Sequence, residues 1–137
     1  MKKILIVSMI IIALFLTSCG EVTDSSNSGA NDTTYNNISV QELDDMFANK
    51  DFVFVNVHIP FEGDIPNTDL SIPYDEIEQN LDQLPADKDA KIVLYCRSGN
   101  MSSIAADTLV ELGYTKVYNL EGGFNAWGQA GLPIEGQ

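Results

Sequence analysis

Apolar residues follow two different spacings along the chain, and the spacing changes several times between residues 39 and 137. Continuous apolar runs rich in β-branched residues are typical of strands that are buried on both faces. Three such runs are present, at Phe52–Val57, Lys91–Tyr95 and Lys116–Leu120. Segments with helical spacing lie between them. This alternation predicts an α/β fold with a mostly parallel central sheet and helices on both faces.

Apolar positions three or four residues apart mark the helical segments. A capping box between Ser39 and Glu42 begins the first segment, and Gly113 is a typical residue beyond the end of the third. The predicted helices cover residues 40–49, 77–84 and 102–112, with a short last helix after Gly122-Gly123. In open parallel sheets, ligands bind at the carboxyl ends of the strands, so we expect the functional residues there.

The amino-terminal 37 residues have a different composition from the rest of the chain. Two lysines, the 13-residue apolar run Ile4–Leu16 and small residues before Cys19 predict a signal peptide over residues 1–18. The run is shorter than the roughly 20 residues of a membrane-spanning helix, which disfavours an uncleaved anchor. Residues 19–37 are polar and predict a flexible tether, which leaves residues 38–137 for one folded domain.

The junction Leu16-Thr17-Ser18-Cys19 resembles the lipobox of bacterial lipoproteins. That resemblance implies that Cys19 is acylated and attaches the protein to a membrane outside the cytoplasm. The membrane would be the outer membrane of a diderm cell, or the outer face of the cell membrane in a monoderm. The alternative is an ordinary secretory signal with an incidental cysteine.

The net charge limits the possible partners. The full chain carries a formal charge of −13, and loss of the leader removes two lysines and no acid, which leaves −15. Phosphate binding needs clustered cations, so this composition argues against nucleic acid as a partner.

Cys96 lies where chemistry is expected, between a buried strand and a glycine-containing loop that begins a helix. Backbone N–H groups at such a helix start converge on one point and stabilise an anion. We therefore expect a lowered pKa for the Cys96 thiol, with Arg97 adding positive charge, and a thiolate that acts as a nucleophile. The alternative is a buried, inert cysteine that ends a core strand.

The loop resembles the active-site loop of the rhodanese family of sulfurtransferases, whose typical sequence is Cys-Arg-Ser-Gly-Asn-Arg-Ser. It matches six of those seven positions and reads Cys96-Arg97-Ser98-Gly99-Asn100-Met101-Ser102. The closing segment Leu120–Trp127 extends the resemblance. The resemblance implies a single rhodanese-like domain with about five strands and no cofactor. It also implies that Cys96 carries a persulfide in a substrate-binding loop, and that the partners are a small sulfur donor and a thiol or protein acceptor.

Two departures from the family pattern bear on function. Asn56 and His58 stand where the family has Asp and Arg, and we interpret both as structural residues rather than catalytic ones. Met101 replaces the second arginine of the loop, which puts thiosulfate in doubt as a donor. Met101 is then either a packing residue at the rim or part of a pocket for softer, less charged donors.

Other chemistries lack the residues they need. Ser102 stands six positions after Cys96, where the Cys-x5-Arg phosphatases have arginine. One histidine and one domain cysteine predict no metal site. No phosphate-binding or dinucleotide glycine motif is present. Two alternatives to sulfur transfer stay open: a catalytically weak binding module of this fold, and a redox sensor oxidised at Cys96.

Overall fold

The computed structural model describes residues 34–137. The predicted leader and most of the predicted tether, residues 1–33, lie outside this range. The described strands are β1 (Asn36–Ile38), β2 (Val53–Asn56), β3 (Leu70–Ser71), β4 (Lys91–Tyr95) and β5 (Lys116–Leu120). The helices are α1 (Val40–Phe47), α2 (Asn100–Glu111) and α3 (Gly123–Gln129), with a 3-10 helix at Glu78–Gln83. The strands form one five-stranded sheet in the order β1-β5-β4-β2-β3, and every pair is parallel.

The core has two apolar layers, one on each face of this sheet. Alternate residues of a strand point to opposite faces, so Leu94 and Cys96 belong to one layer and Tyr95 to the other. The first layer includes Ala105 and Leu109 of α2. The second includes side chains of α1 and α3, namely Leu43, Phe124 and Trp127. The predicted α/β fold, with a parallel sheet of five strands between helices, is therefore confirmed.

Local signals in the sequence explain where two helices begin. The Ser39 hydroxyl accepts a hydrogen bond from the Glu42 N–H at 3.2 Å, and the Glu42 carboxylate accepts one from the Ser39 N–H at 2.7 Å. This is the predicted capping box, which satisfies backbone N–H groups that have no partner within the helix. Helix α2 begins at Asn100, earlier than predicted, because the left-handed Gly99 (φ 102°) ends the loop there.

The segment predicted as a helix over residues 77–84 is a kinked 3-10 helix. Its backbone is non-helical at Asn80 (φ −119°, ψ 26°), and the Asn80 amide donates a hydrogen bond to the Glu76 carbonyl at 2.8 Å. Asparagine side chains compete in this way with regular helical hydrogen bonds. The apolar residues that suggested the helix, Ile77 and Leu84, are nevertheless buried.

The two edge strands carry no clear signal in the sequence. Strand β1 includes Asn36 and Asn37, so the folded domain begins inside the segment predicted as tether. It is held by pairing with β5 and by a 2.9 Å hydrogen bond from the Asn119 amide to the Asn37 side chain.

Within residues 34–137, no helix has the length and apolar character needed to cross a membrane.

Candidate active site

Cys96 follows the central strand β4 and precedes the loop that begins α2. Its sulfur accepts a hydrogen bond from the Gly99 N–H at 3.0 Å and one from the Ser102 hydroxyl at 3.4 Å. The residue is 1% exposed. Gly99 can aim its N–H at the sulfur because it adopts a left-handed conformation that favours glycine. The sulfur therefore lies at the amino end of a 12-residue helix, where the helix dipole stabilises negative charge.

Two opposing effects determine the pKa of the Cys96 thiol. Burial raises this pKa, but hydrogen bonds from the Ser102 hydroxyl and from the N–H groups of Ser102, Ser98 and Gly99 together lower it further than burial raises it. The thiol pKa is consequently below its ordinary value. Such a shift increases the thiolate fraction near neutral pH.

The hydrogen bonds that lower this pKa come from Ser102, Ser98 and Gly99, and Arg97 is not among them. Its Nη1 donates a hydrogen bond to the Glu62 carboxylate at 3.2 Å, and its side chain is 56% exposed. The guanidinium charge is thus paired with a carboxylate and surrounded by water, which both weaken its effect on the thiol. The sequence pattern assigns no role to Glu62.

Ser102 connects the sulfur to the loop backbone. The side chain is fully buried, and its hydroxyl lies 3.1 Å from the Gly99 carbonyl oxygen as well as 3.4 Å from the Cys96 sulfur. A hydroxyl has one hydrogen to donate, so it can serve only one of these acceptors fully at a time. Ionisation of Cys96 favours donation to sulfur, because hydrogen bonds to charged acceptors are the stronger ones.

The glycine pair before α3 fixes the backbone of Cys96 from the other side. The N–H of Phe124 donates to the Cys96 carbonyl at 3.0 Å, and the N–H of Asn125 donates to the Arg97 carbonyl at 3.1 Å. A side chain at Gly123 would collide with that same Cys96 carbonyl. The sequence predicts the short helix after Gly122-Gly123, but the contact of this segment with the Cys96 loop becomes visible only in the fold.

The seven loop residues do not all face the sulfur. The groups that donate to it belong to Ser98, Gly99 and Ser102, while Asn100 is exposed at the surface. Met101 is half-buried and packs against the apolar layer that contains Cys96. Its position agrees with the interpretation of Met101 as a packing residue at the rim.

Asn56 and the following turn form a hydrogen-bonded cluster at the carboxyl end of β2. The Asn56 amide donates to the Gly63 carbonyl and to the Asp64 carboxylate, each at 2.9 Å, and its side-chain oxygen accepts from the His58 N–H at 3.0 Å. Asn56 is buried, and none of these contacts involves the sulfur. Its predicted structural role therefore agrees with the geometry.

The site can perform nucleophilic thiol chemistry. A buried thiolate with several donors aimed at it is able to attack an electrophilic sulfur, and the same donors can stabilise the anionic product. Among residues 34–137, no three His, Cys, Asp or Glu side chains are grouped so that they could hold a metal ion.

Comparison with known proteins identifies the family. The family model of the rhodanese-like domain matches residues 39–130. This chain belongs to the rhodanese family. A sulfurtransferase from Allochromatium vinosum is 38% identical to this rhodanese domain over 103 residues, which are 72% of the chain and 94% of the relative. The thiosulfate sulfurtransferase GlpE of Glaesserella parasuis is 31% identical over 104 residues, 74% of the chain and 94% of the relative.

Solved structures of rhodaneses have the same fold. A rhodanese-related protein from Thermoplasma volcanium is 30% identical with a TM-score of 0.62, covering 73% of this chain and 97% of its own. A rhodanese-like domain protein from Staphylococcus aureus is 32% identical with a TM-score of 0.60, covering 74% and 99%. The family predicted from the Cys96 loop is therefore confirmed.

Proposed function

We propose that this rhodanese is a sulfurtransferase that carries sulfur as a persulfide on Cys96. The single observation that carries the proposal is the sulfur environment, in which the Gly99 N–H and the Ser102 hydroxyl donate to Cys96 at the start of α2. The name of the Allochromatium vinosum relative, which this chain covers almost completely, supports the same reaction class.

The proposed reaction has two displacement steps. The Cys96 thiolate attacks the sulfane sulfur of a donor, a new S–S bond forms, and the donor's leaving group departs with the electron pair of the broken bond. An acceptor thiolate then attacks the outer sulfur of the persulfide and releases the Cys96 thiolate. The donor supplies the oxidised sulfur and the acceptor takes it, so the reaction needs no further oxidant or reductant.

The loop donors stabilise each anionic state along this path. A hydrogen bond to a charged group contributes about 1.5 to 3 kcal/mol, and a helix amino end adds about 0.3 to 1 kcal/mol. The acceptor must come from outside the domain, because residues 34–137 contain no cysteine other than Cys96. A small thiol or a cysteine of another protein would serve.

The proposed donor is a sulfane compound that carries less negative charge than thiosulfate, such as an organic or protein persulfide. Met101 supports this choice, because its apolar side chain, which packs against the layer that contains Cys96, offers no hydrogen bond to an oxyanion. The Glaesserella parasuis relative named as a thiosulfate sulfurtransferase makes thiosulfate the comparison donor to test.

We also propose that acylated Cys19 holds the protein at a membrane outside the cytoplasm. The apolar run and the Leu16-Thr17-Ser18-Cys19 junction support this location. Two or three acyl chains bind a bilayer stably, whereas one chain binds only marginally.

Steady-state sulfur transfer from an organic persulfide to a small thiol tests the proposed activity. Cys96→Ser should abolish turnover, because an oxygen nucleophile cannot carry a persulfide, while Cys19→Ser should leave turnover of the solubilised protein unchanged. Equal turnover by Cys96→Ser and the unmodified chain would place the reaction elsewhere. If the protein binds anions at the loop but never forms a persulfide, it is the catalytically weak binding module. If Cys96 forms sulfenic acid without sulfur transfer, the protein is the redox sensor.

A further inference from the structure

Within residues 34–137, the lysines lie at one edge of the sheet and the arginine lies at the other. Each lysine precedes a strand or begins one, so the lysines lie at the edge formed by the amino ends of the strands. They are Lys50, Lys88, Lys91 and Lys116. Arg97 is the sole arginine of the sequence, and it follows Cys96 at the carboxyl edge. Among residues 34–137, Arg97 is therefore the one lysine or arginine at the carboxyl edge, where Cys96 also lies.

Glu62 pairs with this arginine. One carboxylate oxygen of Glu62 accepts from Arg97 Nη1 at 3.2 Å, and the other lies 3.1 Å from His58 Nε2. The strand register explains the meeting, because Asn56 of β2 is level with Tyr95 of β4, and the next residues of both strands leave the same edge. Glu62 thus connects the loop after β2 to the loop that holds Cys96.

His58 holds the carboxylate in place. The His58 side chain is only 8% exposed, and its ring packs edge-on against Phe124 with centroids 5.6 Å apart. Its Nδ1 is buried without a hydrogen-bond partner among residues 34–137. A hydrogen on Nδ1 would be buried without an acceptor, so the tautomer with hydrogen on Nε2, which donates to Glu62, is favoured. The exposed Arg97 side chain therefore meets a carboxylate that a buried ring orients.

This arrangement changes the charge that a sulfur donor meets. An unpaired Arg97 would attract a dianion such as thiosulfate more strongly than a donor with one negative charge or none. Paired with Glu62, the arginine presents little net charge to a donor. Met101 stands where the family pattern has a second arginine, so the loop has no other cation. We propose that Glu62 is a specificity-determining residue, which disfavours dianionic sulfur donors by neutralising the positive charge of Arg97. Because the selection acts on sulfur transfer at Cys96, it rests on the proposed function.

Glu62→Gln in the full chain tests the proposal. The substitution keeps the shape of the side chain and removes its charge, and Glu62 is partly exposed, so the fold should tolerate it. The probes are thiosulfate and the persulfide of an uncharged alkyl thiol. We expect kcat/KM for thiosulfate to rise about tenfold at low salt, from the attraction between a freed cation and a dianion at about 6 Å in water. The alkyl persulfide should change by about twofold or less, and added salt should reduce the gain.

Two further variants separate the pairing of Arg97 from a general loss of negative charge. Glu121→Gln removes the same charge from an exposed residue between β5 and α3 that forms no salt bridge with Arg97, and it should leave the ratio of the two donors unchanged. In an Arg97→Gln background, Glu62→Gln should give a clearly smaller gain with thiosulfate, because only the repulsion by the Glu62 carboxylate is then removed.

Three results would overturn the proposal: a lower kcat/KM for thiosulfate in Glu62→Gln, an equal gain with both donors, or a gain of the same size in the Arg97→Gln background. Failure of the proposed function would give a different result, in which Cys96 of the unmodified chain takes up sulfur from neither donor. That result would reject both sulfur transfer at Cys96 and donor selection by Glu62.

Discussion

Replacement of Ser102 by alanine should move the ionisation of Cys96 to higher pH. The Ser102 hydroxyl contributes the strongest single effect that lowers the thiol pKa, and alanine removes it while leaving the Gly99 N–H at 3.0 Å in place. Burial of the sulfur, which raises the pKa, is unchanged. The balance of the two effects therefore shifts toward the neutral thiol.

The magnitude follows from the length of the lost hydrogen bond. Hydrogen bonds to charged groups contribute about 1.5 to 3 kcal/mol, and the 3.4 Å separation of Oγ and Sγ favours the lower end of that range. A loss of about 1.4 kcal/mol moves a titration by about one pH unit. Below the pKa, the thiolate fraction and the rate of persulfide formation should fall about tenfold.

The rate of alkylation of Cys96 by iodoacetamide, followed by mass spectrometry of the digested protein across a pH series, measures this shift. The midpoint of the Ser102→Ala curve should lie about one pH unit above that of the unmodified chain, and the two rates should converge at high pH. Ser103→Ala is the matched control, because its hydroxyl donates to the Asn100 carbonyl and not to the sulfur. Coincident curves for Ser102→Ala and the unmodified chain would refute the assigned role of the hydroxyl.

The same shift predicts how stability depends on pH. The pKa of Cys96 is lower in the folded chain than its ordinary value of about 8.5, so ionisation stabilises the folded state above that ordinary value. This contribution is lost as the pH falls through the folded-state pKa. The stability difference between the unmodified chain and Ser102→Ala, measured by urea unfolding, should therefore be larger at alkaline pH than in mild acid.

Three other changes have expected outcomes. Gly123→Ala should lower the free energy of unfolding, measured by urea titration, by roughly 1 to 3 kcal/mol more than Gly131→Ala does. Both glycines have positive φ, but of the two only Gly123 abuts the Cys96 carbonyl. Met101→Arg should raise kcat/KM for thiosulfate about 10 to 150-fold through one charge-assisted hydrogen bond, and an equal gain with an alkyl persulfide would assign Met101 to packing alone. Fatty-acid labelling of the full chain in its host should disappear in Cys19→Ala, and persistent label would rule out acylation at Cys19.

The sequence predicts well those features that depend on neighbouring residues. The run Lys91–Tyr95 is strand β4 with the predicted bounds, and the capping box at Ser39 begins α1 as expected. The Cys96 loop could be located because a strand, a glycine and a helix start are all visible in the local pattern. The family resemblance then supplied the number of strands that periodicity alone did not give.

Features that depend on distant pairing were missed. Strand β3 has only two residues, Leu70–Ser71, and is defined by its register with β2 rather than by any apolar run. The contact between Gly123 and the Cys96 carbonyl arises because β4 and β5 are adjacent, which no spacing in the sequence reveals. Glu62 was not assigned for the same reason, since its partner Arg97 is 35 residues away.

The central claim is that Cys96 forms a persulfide, and intact mass spectrometry tests it most directly. After incubation of the full chain with an alkyl persulfide and removal of the excess, the mass should rise by one sulfur atom, about 32 Da, and digestion should locate the addition on Cys96. A thiol acceptor should then return the protein to its original mass. No gain on Cys96, or an equal gain in Cys96→Ser, would contradict the account.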